Sequence, residues 1–228
     1  MPKLFSIQLP QVKVKSNISL EEAISKRKSY RAYKKTSLTI EEVSQLLFAG
    51  QGILDKTGRR TVPSAGSFYP VEIYLVAGKV KKVPAGVYKY QPEDHKLIKV
   101  FSGDCRKKLA KAAFSQFWVK DAPATIVLCG NFRRTTKKYK EKGKRFVTIE
   151  IGHAAQNICL QSAALNLGTV CVGGFEDIKV SKALNLNREE RPLYLIPVGR
   201  TFKNHLKKEA EILEKLYAFL EKDFFKNV

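Results

Sequence analysis

The stretch EIGHAAQNICLQSAALNLG, Glu150 to Gly168, decides how this chain of 228 residues folds. It belongs to the longest predicted helix, from about Phe146 to Leu167, which ends at Gly168. Apolar side chains occupy much of the circumference of this helix, as in helices buried in a large core or against a second subunit. His153 on the same helix is interpreted as a core histidine. The apolar residues are Ile149, Ile151, Ala154, Ala155, Ile158, Cys159, Leu160, Ala163 and Ala164.

A strongly basic run, RRTTKKYKEKGKR (Arg133 to Arg145), precedes this helix and contains eight basic residues against one acid, Glu141. We interpret it as a solvated loop. The whole chain has a net charge of +21 and a pI near 9.8, so a basic nucleic-acid-binding protein is the alternative from a different functional class. The run contains one aromatic residue, Tyr139, and no orthodox RNA- or DNA-binding motif, which argues against nucleic acid as the partner.

Local start signals divide the rest of the chain into helices and strands, without an internal repeat or a linker. Ser19 with Glu22, and Thr39 with Glu42, have the spacing of capping boxes, which begin helices. Alternating apolar residues and turn residues then define several strands. The further predicted elements are Val71–Ala77, Gly86–Tyr90, Lys96–Phe101, Asp104–Phe114, Ala124–Cys129, Thr169–Val172, Val180–Leu184 and Leu193–Val198, followed by a Lys/Glu-rich C-terminal helix.

Length and composition set further limits. With 44% apolar residues the chain can bury a proper core, and we interpret residues 1–228 as one α+β domain with a core of about 19–200 and a C-terminal helical extension, 201–228. No apolar run reaches the roughly 18–20 residues that cross a bilayer, and the N-terminus lacks the apolar run of a signal peptide. We therefore expect no membrane partner and a cytoplasmic location. The four cysteines are interpreted as small buried apolar residues, and neither they nor the three histidines have the clustering of a metal site.

A loop of small residues, Pro63 to Ser67 (PSAGS), comes shortly before the strand Val71–Ala77. Small residues let another group approach the backbone closely. The loop is not of the phosphate-binding type, because no Gly-Lys-Ser/Thr follows it. The chain also lacks the G-x-G-x-x-G of dinucleotide-binding domains and the G-x-S-x-G of serine hydrolases.

Three other places offer groups that can bind a ligand. Arg27, Ser29 and Arg31 alternate in the segment RKSYR, and their donors suit a phosphate or a polyhydroxyl chain. Cations that complement the dipole of a helix C-terminus are the alternative interpretation of this segment. Arg200 follows an apolar strand, where it either meets a ligand or marks the point at which the strand reaches water. The Gly173-Gly174 pair offers either a bare turn or a close backbone approach to a flat ligand.

The order of these segments resembles that of the nitroreductase family of FMN-dependent oxidoreductases. The likeness extends over about Ser19 to Arg200 and consists of five motifs in order: Arg-x-Ser-x-Arg, PSAG, E-x-G-H-x-x-Q-N, the turn VGGF and a strand that ends in Gly-Arg. The chain is most similar to the thiazole/oxazole-forming (SagB-type) dehydrogenase branch, whose members carry similar PSAG, E-x-G-H-x-x-Q-N and PL-Y-x-x-P-x-G segments.

The resemblance implies both a fold and a cofactor. The fold would be a central, mostly antiparallel sheet flanked by helices, in a domain-swapped homodimer with FMN at each of two shared interfaces. Many nitroreductases have a Glu at the position of Gly173, so the flavin N5 would here be left to backbone N–H groups. The residues that would contact FMN are Arg27, Ser29, Arg31 and Arg200 at the ribityl-phosphate tail, Ser64, Ala65, Gly66 and Ser67 along the isoalloxazine ring, and Gly173 and Gly174 beside the N5 edge.

The same resemblance implies candidate catalytic residues. In the azole-forming branch a Lys-Tyr pair ahead of the long helix takes part in proton handling, and Lys138 and Tyr139 occupy that place here. Cations around a lysine favour its neutral form, which can act as a base. An exposed Lys beside a Tyr that orders the loop is the alternative interpretation.

The sequence thus predicts an FMN-dependent oxidoreductase that transfers hydride through flavin N5. It would act on a small-molecule substrate, with NADH or NADPH as co-substrate. The alternative within the same family is an azoline-to-azole dehydrogenase that acts on a ribosomal peptide.

Overall fold

The computed structural model describes residues 5–202, together with 210, 211 and 214. The predicted C-terminal helix over 201–228 lies almost wholly outside the described residues. The strands are β1 (Ser6–Gln8), β2 (Val71–Ala77), β3 (Gly86–Gln91), β4 (Lys96–Ser102), β5 (Ala124–Asn131), β6 (Leu167–Thr169) and β7 (Glu190–Arg200). The α-helices are α1 (Leu20–Lys26), α2 (Ile40–Gln51), α3 (Arg106–Ala112), α4 (Phe117–Asp121), α5 (Phe132–Tyr139), α6 (Glu141–Ala164) and α7 (Asp177–Leu184).

The strands form a single seven-stranded sheet in the order β1-β4-β3-β2-β5-β7-β6. Every pairing between these strands is antiparallel. The predicted strands Gly86–Tyr90 and Lys96–Phe101 are present as β3 and β4, which form a hairpin that pairs from Gly86 with Ser102 to Gln91 with Lys96. The prediction of an α+β fold with a mostly antiparallel central sheet is therefore confirmed.

Helices cover both faces of the sheet, so its central strands are buried on both sides. Along β2, Ile73 and Leu75 belong to one core cluster with residues of α2 and α6. Tyr74 and Val76, which point to the opposite face because side chains alternate along a strand, belong to a second cluster with residues of α3, α4 and α7. This double burial explains why β2 and β5 read as almost continuous apolar runs.

Both predicted helix starts are confirmed, with one difference in detail. The Thr39 hydroxyl accepts from the Glu42 N–H, and the Glu42 carboxylate accepts from the Thr39 N–H, which is a complete capping box. Ser19 caps α1 in the same way, but the Glu22 carboxylate pairs with Lys26 at 2.5 Å, one turn further along the helix.

The prediction that the basic run Arg133 to Arg145 is a solvated loop is wrong. The run forms most of α5 and the first turns of α6, separated by Lys140, whose φ of 50° interrupts the helix. Lys and Arg have high helix propensity, so charge does not prevent a helix. Burial of Thr135 and Gly143, where the two helices pack closely, holds the cationic segment in place.

Smaller corrections concern individual positions. The strand predicted at Thr169–Val172 is displaced to β6, and Val172 makes only an isolated bridge to Leu195. His153, interpreted as a core histidine, is exposed on α6. Cys171 is exposed as well, whereas the other three cysteines are buried as predicted. Strand β1 and helix α4 were not among the predicted elements. No helix in the described part of the chain is long and apolar enough to span a bilayer.

Candidate functional site

The segment after α1 lies alongside β6 in extended conformation. Ser29 forms a parallel bridge with Thr169, and the Tyr30 N–H donates to the Thr169 carbonyl at 2.8 Å. In an extended chain alternate residues point to the same side. The alternation of Arg27, Ser29 and Arg31 therefore directs polar groups to one side of this edge of the sheet, although the Arg31 guanidinium also lies 5.8 Å from the centre of the Trp118 ring.

Arg27 and Arg200 differ in their charge environment. Arg200 donates to the Glu42 carboxylate at 2.7 Å, so its charge is already paired. Arg27, half-buried at the end of α1, has no carboxylate within 4.0 Å among the described residues. Its guanidinium instead lies near the thiols of Cys159 and Cys171, and its positive charge contributes to the lowered pKa of Cys159. Arg27 is thus a cation available to an anionic ligand.

The Gly173-Gly174 turn presents open backbone near the same edge. It follows Cys171 and Val172, and the Gly174 carbonyl accepts from the Gln116 side-chain amide at 3.1 Å. A Cβ placed on Gly173 would touch only the Tyr194 ring, at 3.4 Å, and one on Gly174 would meet nothing closer than 4.0 Å. The space above these glycines is therefore not filled by the rest of the described chain.

The PSAGS loop forms a single 3-10 turn, Ala65–Ser67, held by bonds at both ends. The Ser67 N–H donates to the Ser64 carbonyl at 3.1 Å, and the Ser64 hydroxyl accepts from the Tyr69 N–H at 2.9 Å. Gly66 has a φ of 63°, a conformation that favours glycine. Gly66 and Ser67 are exposed, so the loop presents a surface of small residues.

Glu150 fixes this loop to α6, and sequence reasoning gave it no role. Its Oε1 accepts from the Ala65 N–H at 2.9 Å. Its Oε2 is buried without a partner among the described residues, and the residue is only 3% exposed. Desolvation by burial raises the pKa of this carboxyl. The signal was present in the sequence, because Glu150 is an acid flanked by the apolar positions of a buried helix.

Lys138 and Tyr139 lie at the end of α5, beside the loop. The Tyr139 hydroxyl is 2.9 Å from the position that a Cβ on Gly66 would occupy, and the Tyr139 ring makes edge contacts with Phe68 and Phe146. The Lys138 Nζ is 5.8 Å from the centre of the Phe68 ring. The structure thus brings the predicted catalytic pair together with the predicted ring-binding loop.

The predicted site residues form two groups, and α6 separates them. The tail group contains Arg27, Ser29 and the Gly173-Gly174 turn, and it meets α6 at Cys159, whose sulfur is 3.6 Å from that of Cys171. The loop group contains the PSAGS loop, Lys138 and Tyr139, and it meets α6 at Glu150. Glu150 and Cys159 are nine residues apart, which places them about half a turn apart around the axis and roughly 13 Å apart along it. The two groups therefore lie on opposite faces of one helix.

The residues present fit a flat ligand that carries a phosphate. Arg27 supplies a half-buried cation without a carboxylate partner in the described part of the chain, and the Ser29 hydroxyl lies two residues further along the same extended segment. The open turn at Gly173-Gly174 and the small exposed loop at Gly66 admit a planar group close to the backbone. The donor set is therefore that expected for a flavin nucleotide.

Comparison with known proteins shows the family of the chain. Residues 24–200 match the nitroreductase family. Protein MJ1384 of Methanocaldococcus jannaschii, which carries the nitroreductase name, is 42% identical over 200 residues that cover 88% of this chain and 98% of that protein. A crystal structure from Ralstonia eutropha with the same description superimposes with a TM-score of 0.76 and 27% identity, over 87% of this chain and 90% of that one.

A further relative is a microcin-processing protein. The microcin B17-processing protein McbC of Escherichia coli is 27% identical over 170 residues, which cover 68% of this chain and 59% of McbC. The fold is the α+β fold of that family, built on an antiparallel sheet. The chain belongs to the nitroreductase family.

Proposed function

We propose that this protein is an FMN-dependent oxidoreductase. The observation that supports the proposal most directly is Arg27, a half-buried cation with no described carboxylate partner, beside an open glycine turn in a chain of the nitroreductase family. Bound FMN supplies hydride transfer at N5, with NADH or NADPH as the co-substrate. The chain's own residues bind and orient the cofactor and the substrate.

Arg27 and Ser29 would hold the phosphate end of the cofactor. A hydrogen bond from a guanidinium to a phosphate is charge-assisted and bidentate when the geometry allows it. Arg31 and Arg200 would contribute less, because each already has an interaction within the chain: Arg31 near the Trp118 ring and Arg200 with Glu42. The backbone of Gly173 and Gly174 would lie against the ring edge.

A second copy of the chain would complete each site. The PSAGS loop and Arg27 lie on opposite faces of α6, so one protomer does not present both to a single ligand. Between these groups α6 exposes a stripe at helical spacing, with Ile149 47% exposed and no atom within 4 Å of a Cβ on Gly152. We infer that this stripe packs against its counterpart in a homodimer. Its exposed members are Arg145, Thr148, Ile149, Gly152, His153 and Gln156.

The dimer can be tested by substitution of an exposed residue of the stripe, which is not part of the core of one protomer. Ile149→Glu places a charge in the stripe and should yield a monomer that no longer retains FMN, as measured by light scattering and absorption. Ile178→Glu is the matched control, because Ile178 is 71% exposed and lies on α7, outside the stripe. This variant should remain dimeric. Ala155 is buried in the core, so a charge there would test folding instead. A flavin-loaded monomer of the wild-type protein would refute the proposed assembly.

The cofactor is tested by the absorption spectrum of the purified protein and by identification of the released molecule. Arg27→Ala should weaken FMN binding by about ten- to a hundredfold, since a hydrogen bond to a charged group contributes roughly 1.5–3 kcal/mol. Arg59→Ala is the control, because the Arg59 side chain is 71% exposed and pairs with Asp55. If the two variants retain FMN equally well, Arg27 is not the phosphate ligand.

A second candidate function is azoline-to-azole oxidation on a peptide. The observations that favour it are the similarity to McbC and the position of Tyr139 against the PSAGS loop, where Lys138 and Tyr139 would hold or remove a proton next to the reacting ring. Lys138→Ala and Tyr139→Phe should lower heterocycle oxidation by orders of magnitude and leave NAD(P)H-quinone turnover nearly unchanged. Equal losses in both assays, or none in either, would refute this role.

The nucleic-acid alternative receives no support from the arrangement of the basic run. Arg133 pairs with Glu189, Arg134 with Glu72, and Lys144 with Glu141. Arg134 also donates to the Tyr69 carbonyl at 2.8 Å. Arg133 and Arg134 thus hold α5 to the rest of the chain, and the Lys144–Glu141 pair lies within α6. These pairs account for part of the run without an external polyanion.

A further inference from the structure

Two cysteines that are distant in the sequence lie together beside the tail group. Cys159 is on α6 and Cys171 follows β6, and their sulfurs are 3.6 Å apart. A disulfide needs a sulfur–sulfur distance of about 2.05 Å, so the two sulfurs have to approach each other by about 1.5 Å. Cys105 and Cys129 are buried elsewhere in the chain, in the core cluster on the side of α3, α4 and α7.

The surroundings of the pair favour a reactive sulfur. The Cys171 thiol and the Thr169 hydroxyl, 3.6 Å away, donate to the Cys159 sulfur, and with the nearby Arg27 guanidinium they lower the pKa of Cys159 to about 7. One thiol of the pair is therefore ionised near neutral pH, and a thiolate is the nucleophilic form. Cys171 is exposed, so a small oxidant can reach it.

We propose that Cys159 and Cys171 form a redox-active pair that a peroxide converts into an intramolecular disulfide. The proposal stands on the geometry of the two thiols and does not depend on FMN binding. The disulfide would join α6 to the segment that leads into the Gly173-Gly174 turn, and it would remove the negative charge that a thiolate places beside Arg27.

The reaction balances with one peroxide. Cys159, whose pKa is lowered, attacks one oxygen as the thiolate while the shared proton resides on Cys171; the O–O bond breaks, and a sulfenic acid and a hydroxide form. The hydroxide takes a proton from solvent and leaves as water. Cys171 then attacks the sulfenic sulfur of Cys159, the S–S bond forms, and the displaced hydroxyl leaves with the Cys171 proton as a second water. The two sulfurs lose two electrons and the peroxide gains two.

The test treats the reduced protein with hydrogen peroxide and analyses it by intact mass, by alkylation under denaturing conditions and by peptide mapping. We expect the mass of two hydrogens to be lost, two of the four thiols to become unreactive, and one cross-linked peptide pair that contains Cys159 and Cys171. Reductant should restore all four thiols. Cys105→Ser should behave like the wild-type protein, whereas Cys171→Ser should form no internal disulfide.

Two results would overturn the proposal. One is a wild-type protein that keeps four alkylatable thiols after peroxide treatment. The other is a disulfide that joins two chains or includes Cys105 or Cys129. The pH dependence gives a second readout on unmutated protein: the oxidation rate should rise with pH and reach half its maximum near 7, since Arg27 and Thr169 stabilise the thiolate of the pair. A midpoint near the ordinary thiol value, about 8.5, would contradict the assigned environment.

Discussion

The hydrogen bond between Glu150 and the Ala65 N–H offers a sharp test of how α6 positions the PSAGS loop. Glu150→Ala removes the acceptor and leaves the Ala65 N–H without its 2.9 Å partner. Glu150→Gln keeps an oxygen at the same reach and removes only the charge. The difference between these two variants therefore isolates the hydrogen bond from the electrostatic effect of burying a carboxylate.

The expected magnitude follows from the environment of the bond. Loss of a partner from a buried polar group costs about 1–3 kcal/mol. Because Ala65 is only half-buried, the lower part of this range applies. We expect Glu150→Ala to have a free energy of unfolding about 1–1.5 kcal/mol lower than Glu150→Gln, and to bind FMN about tenfold more weakly if the loop must be in place for binding.

The charge adds a pH dependence with a defined sign. Burial raises the folded-state pKa of Glu150 above its unfolded value. The stability that this shift contributes is fully present below the unfolded pKa and is lost as the pH rises through the raised folded pKa. Wild-type protein should therefore lose stability relative to Glu150→Gln between acidic and neutral pH.

Urea denaturation at equal protein concentration, in acidic and in neutral buffer, measures the free energy of unfolding and its pH dependence. An FMN titration measures the change in cofactor affinity. Identical unfolding midpoints and FMN affinities for the Ala and Gln variants would refute the role of the hydrogen bond. If the free energies of unfolding of the wild-type protein and Glu150→Gln differ by the same amount at both pH values, the buried Glu150 carboxyl does not have a raised pKa.

Three further predictions concern other positions. Gly66→Ala places a side chain at a φ of 63° and puts its Cβ 2.9 Å from the Tyr139 hydroxyl. This substitution should destabilise the loop by about 1–2 kcal/mol and reduce FMN binding in a fluorescence titration. An unchanged titration would show that the loop does not contact the cofactor. Asn157→Ala removes two bonds, from the side-chain amide to the Ala49 and Thr61 carbonyls at 3.2 and 3.1 Å, and should lower the free energy of unfolding by about 1–3 kcal/mol in urea, whereas a change below a few tenths would indicate that water replaces the amide. Arg200→Ala, which breaks a partly exposed ion pair with Glu42, should cost at most about 1 kcal/mol of stability and weaken FMN binding less than Arg27→Ala; the opposite ranking would make Arg200 the main phosphate ligand.

Features that depend on neighbouring residues could be predicted from the sequence. The helix starts at Ser19 and Thr39 are set by side chains that reach only three residues along the chain. The β3–β4 hairpin depends on a short turn and on alternating apolar residues. The order of the nitroreductase-like motifs needed no contact information, and the family assignment agrees with it.

The conformation of the basic run could not be predicted from its charge alone. Its charge suggested a solvated loop, but helix propensity and the packing of Thr135 and Gly143 between α5 and α6 decide its conformation. Ion pairs with Glu72 and Glu189, which are 62 and 56 residues away from Arg134 and Arg133, then hold the segment in place. No local window of sequence contains these partners.

The sequence by itself determined most of the elements, their order and the residue types at each candidate position. Only the tertiary structure decided which of those positions meet. Glu150 reaches Ala65 across 85 residues, and Cys159 meets Cys171 because β6 folds back along α6. The half turn between Glu150 and Cys159 follows from 3.6 residues per helical turn. The packing of the loop and of the sheet edge against α6 then places the two site groups on its opposite faces. Side-chain contacts between distant segments depend on how helices and sheet pack, and that packing is a property of the whole chain.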